Sequence, residues 1–172
     1  MKILLLGYMG SGKSVIGQEL AKKLYFPFID LDDYIEKQEK LTISEIFSQK
    51  GEIHFRKIEH IYLNELLNSD DKFILSLGGG TPCYAGNIDA ILNADKSVSL
   101  YLQTSIKVLV ERLIEGKTKR PLIANLSDDQ INEFVAKHLF ERRFYYEQAH
   151  KTIKTDSKSL EEIVTEIRML LH

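Results

Sequence analysis

The sequence predicts an α/β domain built on a parallel five-stranded sheet, and three observations carry this expectation. Five short strand candidates, at residues 3–6, 26–29, 73–77, 98–102 and 152–154, are separated by helical stretches. The leading candidates are apolar enough to be buried on both faces, as strands of a sheet covered by helices on either side must be. Between them, spacings such as Val15, Ile16, Leu20 and Leu24 follow the helical period and not the strand period. With 172 residues the chain is expected to form one domain, residues 1–172, with enough material for a real core.

Each element has a local reason. The run at 3–6 precedes a glycine-rich stretch and then the helix marked by Val15 to Leu24; Gly17 inside that helix implies close packing on the sheet. The run at 26–29 leads into Phe28-Ile29-Asp30-Leu31-Asp32. Thr42 with Glu45 fits a capping box and opens a helix carrying Gly51-Glu52-Ile53-His54-Phe55-Arg56-Lys57-Ile58-Glu59. The run at 73–77 ends in Gly78-Gly79-Gly80. After 98–102, Thr104 or Ser105 can cap a helix through Arg112. Residues 115–125, EGKTKRPLIAN, are polar and carry Pro121, and read as a mobile loop or lid between two helices. Capping boxes at Ser127 with Gln130 and at Ser159 with Glu162 open the last two helices, on either side of 152–154.

Composition narrows the function classes. Hydrophobic residues make up 44% and charged residues 28% of the chain, ordinary values for a globular protein. A net charge of -2 with no basic block argues against a nucleic-acid binder. The single cysteine, Cys83, cannot close an internal disulfide and reads as structural, which fits a reducing compartment. No stretch approaches a membrane span, and the run at 3–6 is too short for a signal-peptide core. The expectation is a cytoplasmic protein with no membrane and no nucleic-acid partner. The five histidines (54, 60, 138, 150, 172) show no metal-binding spacing.

The stretch Gly7-Tyr8-Met9-Gly10-Ser11-Gly12-Lys13-Ser14 satisfies G-x-x-x-x-G-K-[ST] between a strand and an amphipathic helix. Glycines there let the backbone aim successive N–H groups at phosphate oxygens, and the helix adds its positive dipole end. Gly10, Ser11, Gly12, Lys13, Ser14 and Val15 are the candidate nucleotide-binding residues. Lys13 can bridge the outer phosphates, and the Ser14 hydroxyl can ligate Mg²⁺. Such a loop implies ATP and Mg²⁺ without distinguishing a switch, a motor and a small-molecule kinase.

The remaining motifs discriminate. Asp30 and Asp32 fall at the end of the second strand candidate, where ligands of parallel sheets gather, and a strand period of two would point both the same way. With FRxxE, GGG, Arg120-Pro121-Leu122 and Glu141-Arg142-x-x-x-Tyr146 in this order, the sequence resembles the shikimate kinase family over essentially its whole length. The resemblance implies a three-layer α/β/α P-loop kinase fold with a five-stranded parallel sheet and a mobile lid. It also implies Mg²⁺-dependent transfer of the ATP γ-phosphate to the 3-hydroxyl of shikimate.

By the same resemblance, Asp32 binds the acceptor hydroxyls and takes their proton. Asp30 stands nearer the magnesium, through water. Arg56 and Arg142 hold the acceptor carboxylate, for which a guanidinium fork is suited. Glu59, one helical turn from Arg56, can orient it or touch the substrate, and Gly78, Gly79 and Gly80 let the backbone approach the ring. The acceptor region spans about residues 31–62. Arg120, in the lid of about 115–125, folds over the ATP phosphates, and Lys158 lies where the adenine-facing loop falls. One departure is the absence of the family's proline between the last arginine and tyrosine. The adjacent arginines leave the register open: the four-residue step to Tyr146 favours Arg142, with Arg143 as the alternative. Phe144, Tyr145 and Tyr146 read as packing residues. A monomer acting on a small molecule is expected. A gluconate-kinase-like enzyme or a nonenzymatic nucleotide switch would keep the phosphate loop but alter the acceptor pocket.

Overall fold

The computed structural model describes residues 1–84, 86–117 and 122–171. Its five strands are β1 (Lys2–Leu6), β2 (Phe28–Asp30), β3 (Phe73–Ser76), β4 (Ser97–Gln103) and β5 (Lys151–Lys154). They pair in the order β2-β3-β1-β4-β5, every pair parallel, so the strand feeding the glycine-rich loop is central. The described helices are α1 (Lys13–Leu24), α2 (Leu31–Glu39), α3 (Ile43–Asn68), α4 (Asn87–Asn93), α5 (Ile106–Glu115), α6 (Asp128–Tyr146) and α7 (Leu160–Leu170). A 3₁₀ turn, Thr81–Cys83, joins β3 to α4, and α3 bends at Gly51, whose φ is 82°.

The three layers follow from the alternation along β1. Leu4 and Leu6 pack into one core with Ile58 and Leu63 of α3, Leu109 of α5 and Tyr146 of α6. Ile3 and Leu5 face the other way, into a second core with Ile16 and Leu20 of α1 and Ile163 and Ile167 of α7. Both faces are buried, which is why β1 reads as an unbroken apolar run. Gly17 is where α1 meets the sheet: a Cβ there would come 2.5 Å from a ring carbon of Phe28 and 3.0 Å from Leu5.

The capping boxes at Thr42, Ser127 and Ser159 all form. Ser105, not Thr104, caps α5; the Thr104 hydroxyl instead meets that of Thr155 at 2.6 Å.

One expectation needs correction. The second strand begins two residues later than the sequence suggests. The Phe26 N–H closes the end of α1 on the Ala21 carbonyl at 3.1 Å, and Pro27 has no N–H to pair, so the ladder starts at Phe28. Asp30 is therefore the last strand residue and the N-cap of a helix the sequence reading did not anticipate. Its carboxylate accepts the Asp32 N–H at 3.0 Å, with Asp32 and Asp33 in the acidic first turn of α2. Asp32 is helical, so the strand-period argument for the pair fails. A strand-to-helix cap brings them together instead.

In the 115–125 segment, read from the sequence as a loop or lid, exposure varies from residue to residue: Leu122 is 73% exposed, but Ile123 is fully buried in the core shared with Ile131 and Val135. Lys119, Arg120 and Pro121 lie outside the described residues.

Candidate active site

The site forms at the carboxyl edge of the sheet, in a cleft of about 590 Å³ beside the glycine-rich loop. Gly12 ends that loop as the N-cap of α1 with φ 93°, a left-handed conformation that strains any residue with a Cβ. No side chain caps α1, so its first N–H groups are left for an incoming anion. The Ser11 hydroxyl is buried without a partner among the described residues. Lys13 folds back over the loop, its ammonium donating to the carbonyls of Gly7 at 2.7 Å and Tyr8 at 3.1 Å. Ser14 donates to Asp30 Oδ2 at 3.3 Å, across the cleft floor. Val15 is 58% exposed at its rim.

The cradle, the cation and the unpartnered hydroxyl fit a polyphosphate. Ser14 and Asp30 are hard oxygen donors of the kind Mg²⁺ prefers. No group of three or more His, Cys, Asp or Glu side chains that could hold a metal occurs among the described residues.

Next to the phosphate loop, Gly78, Gly79 and Gly80 form a ledge on which four predicted acceptor residues converge. A Cβ at Gly78 would lie 3.4 Å from Asp32 Oδ1 and 3.6 Å from Glu59 Oε2. At Gly79 it would lie 3.4 Å from Arg142 Nη1, and at Gly80 only 2.7 Å from Arg56 Nη2. The tightest approaches are at Gly80, from Arg56, and at Gly78, where a Cβ would lie 2.9 Å from the Thr81 hydroxyl. Arg56 is held by Glu59, with Nη1 donating to Oε1 at 2.9 Å, and stacks on Tyr84 with its guanidinium carbon 4.1 Å from the ring centre. Its Nε–H is buried without a hydrogen-bond partner.

Burial and neighbouring charge tune two of these groups. Burial, with Asp30 and Glu59 nearby, pushes the Asp32 carboxyl up to about 6, against the opposing pull of Lys13 and Arg56. Loss of hydration pushes the Lys13 ammonium down to about 8; Asp30 and Asp32 oppose this and Arg142 adds to it. A carboxylate with raised proton affinity and a cation beside it suit proton abstraction next to a transferring anion.

The two adjacent arginines face different ways. Arg142 sits against Gly79 and over the Tyr8 ring, 5.7 Å from its centre. Arg143 points outward and pairs with Glu147 at 2.5 Å. Tyr146 packs as expected, fully buried, and donates its hydroxyl to the Gly79 carbonyl at 2.6 Å. Phe144 does not reach the core: it is 70% exposed on the outer face of α6, with its ring edge-on to Tyr145. Lys158 lines the nucleotide cleft, with its ammonium 2.5 Å from Glu166. Arg120 lies outside the described residues.

Sequence reasoning missed Arg112, which lines the same cleft and donates from Nη1 to the Gly10 carbonyl at 2.9 Å.

The shikimate kinase family profile matches residues 9–172. The shikimate kinase of Flavobacterium johnsoniae is 52% identical over 170 residues, covering 99% of this chain and 98% of the relative. Among solved structures, the shikimate kinase of Bacteroides thetaiotaomicron superposes with a TM-score of 0.91 at 34% identity, covering 99% of this chain and 98% of the other. That of Acinetobacter baumannii, solved in complex with shikimate, gives 0.86 at 31% identity, with coverage of 99% and 92%.

Proposed function

Since the chain belongs to the shikimate kinase family, we propose that it transfers the γ-phosphate of ATP to the 3-hydroxyl of shikimate, yielding shikimate 3-phosphate and ADP on the route to chorismate and the aromatic amino acids. The observation that carries the reading is the ledge at Gly78 to Gly80, where Asp32, Arg56, Glu59 and Arg142 converge beside the phosphate loop.

The loop N–H groups from Gly10 to Val15 bind the polyphosphate, and Lys13 leaves its carbonyl partners to neutralise the transferring group. Ser14 would ligate Mg²⁺ and Asp30 would hold it through water; the ion would supply charge neutralisation at the phosphates. Arg56 and Arg142 grip the acceptor carboxylate, Arg56 through the guanidinium edge that Glu59 leaves unused. This orients the acceptor hydroxyl toward Asp32. Asp32 takes the hydroxyl proton as the oxygen–phosphorus bond forms and the bond to ADP breaks. A carboxyl at about 6 is ionised at neutral pH yet accepts a proton more readily than an ordinary one.

Residues 115–125 act as the lid, Arg120 closing over the phosphates and excluding water that would compete as acceptor. Lys158 faces the adenine. The protein works as a cytoplasmic monomer on a small molecule; no described helix is long and apolar enough to cross a membrane.

ADP release measured with shikimate, gluconate and nucleoside monophosphates in parallel tests the assignment. Turnover stimulated by shikimate alone is expected. Stimulation by gluconate or a nucleotide instead, or by no acceptor, overturns it.

A further inference from the structure

Behind the ledge, a buried hydrogen-bond chain runs from the acceptor arginine into the protein. Arg56 Nη1 donates to Glu59 Oε1 at 2.9 Å. The other oxygen of that carboxylate accepts the Thr81 hydroxyl at 2.7 Å. The Thr81 carbonyl accepts Asn87 Nδ2 at 2.8 Å, and Asn87 Oδ1 meets His60 Nδ1 at 2.7 Å. Glu59 is 1% exposed, and Thr81 and Asn87 not at all.

The chain has one consistent direction. A carbonyl only accepts, so the Asn87 amide must turn its NH₂ toward Thr81, which leaves its oxygen facing His60. His60 must then carry a proton on Nδ1. Both ends of the amide are used, and Asn87 begins α4 only six residues beyond Thr81. The short segment containing the 3₁₀ turn is thereby pinned to α3, the helix that carries Arg56, Glu59 and His60.

We infer that Thr81 and Asn87 are positioning residues for the acceptor: Thr81 fixes the rotamer of Glu59, Glu59 fixes Arg56, and Asn87 fixes Thr81. The inference rests on the shikimate reading above. Glu59 is buried between a cation and a ledge and has only a few partners to hold its second oxygen. Without the Thr81 hydroxyl that oxygen loses its donor, close to where Asp32 Oδ1 also approaches Gly78. Glu59 can then rotate, and Arg56 loses the fixed orientation that a planar carboxylate grip requires. Among the described residues the hydrogen bonds of Thr81 go to Gly78, Glu59 and Asn87 and none to the phosphate loop, so the effect falls on the acceptor and not on ATP.

The test is steady-state kinetics on Thr81→Val, a near-isosteric change that removes only the hydroxyl, with Thr81→Ser as the variant that restores it. Loss of a hydrogen bond to a charged group predicts a shikimate KM raised roughly tenfold in Thr81→Val, with ATP KM and kcat within about twofold of wild type. Thr81→Ser is expected to return the KM to within about twofold to threefold of wild type.

A second arm uses Arg56→Ala. If Thr81 acts through Arg56, adding Thr81→Val to Arg56→Ala raises the shikimate KM no further. Unchanged KM in Thr81→Val, failure of serine to rescue, or full additivity with Arg56→Ala each overturns the inference. Should Thr81→Val fold poorly, Asn87→Ser takes its place, with the same shift in shikimate KM expected and an unchanged KM refuting the role. A wild-type enzyme that does not phosphorylate shikimate would instead refute the functional reading, so the two failures are distinguishable.

Discussion

Replacing Asp32 by asparagine should make the unliganded protein more stable while it loses turnover. The carboxyl is pushed up to about 6 from an ordinary value of 3.8, chiefly by burial and then by Asp30 and Glu59. At about 1.4 kcal/mol per tenfold change in proton affinity, keeping Asp32 ionised costs the folded protein about 2–3 kcal/mol relative to the unfolded chain. The sign follows from proton counting. Between the two values the folded state holds a proton that the unfolded state has released, so wild-type stability falls as pH rises through that window and levels off above about 6. Asparagine does not titrate. The variant's advantage should therefore be near zero at about pH 4 and reach about 2–3 kcal/mol by neutral pH. For a chain of this length that corresponds to roughly 5–10 °C in melting temperature. Thermal melts of both proteins across this range, without nucleotide, measure it, alongside a turnover loss of about 10²–10⁴-fold for the missing base. A variant that melts below wild type at neutral pH, or a gap that does not change with pH, refutes the reasoning.

Lys13→Met should abolish transfer in a protein that melts normally. Because the free ammonium lies at about 8 and phosphates will raise it, ATP binding at mildly alkaline pH should take up a proton, and calorimetry in buffers of different ionisation enthalpy should detect it. Arg56→Ala should weaken shikimate binding and leave ATP affinity unchanged; a shikimate analogue lacking the carboxylate should bind both proteins with similar affinity, and additive losses in equilibrium titrations would count against the grip. In the lid segment, Ile123→Ala should cost about 2–4 kcal/mol in denaturant unfolding, because it empties a buried site. The neighbouring Leu122→Ala, at a position 73% exposed, should cost less than about 0.5 kcal/mol.

What could be read from the sequence was whatever is encoded locally. The glycine-rich loop is a contiguous motif whose backbone conformation, including φ 93° at Gly12, follows from its own residues. The capping boxes at Thr42, Ser127 and Ser159 are equally local, and all three form. The sheet followed because buried parallel strands advertise themselves as apolar runs. Asp30 and Asp32 were paired correctly but for the wrong reason, since a helix cap and a strand end both place acidic residues two apart. Arg142 could not be separated from Arg143 until α6 was docked, because only the direction each faces distinguishes them. Ile123 shows the same limit: a polar, proline-bearing stretch conceals one residue that reaches the core. The chain from Glu59 through Thr81 to Asn87 was invisible because its partners lie 22 and 6 residues apart on three different elements.

The sheet order has a consequence for how copies of this chain meet in a crowded solution. Placing β1 in the middle leaves β2 and β5 as the margins, only three and four residues long. A margin that short offers a foreign strand few backbone partners. On β5, moreover, Lys151 and Lys154 flank the single inward residue Ile153, so an approaching strand would bring its own charge or apolar surface against two exposed ammonium groups. Short edges and edge lysines are the usual protection against one sheet continuing into the next. The arrangement that centres the nucleotide strand therefore also resists fibrous stacking, and replacing both lysines with threonine or valine would remove that resistance while leaving in place the residues that line the cleft, none of which is Lys151 or Lys154.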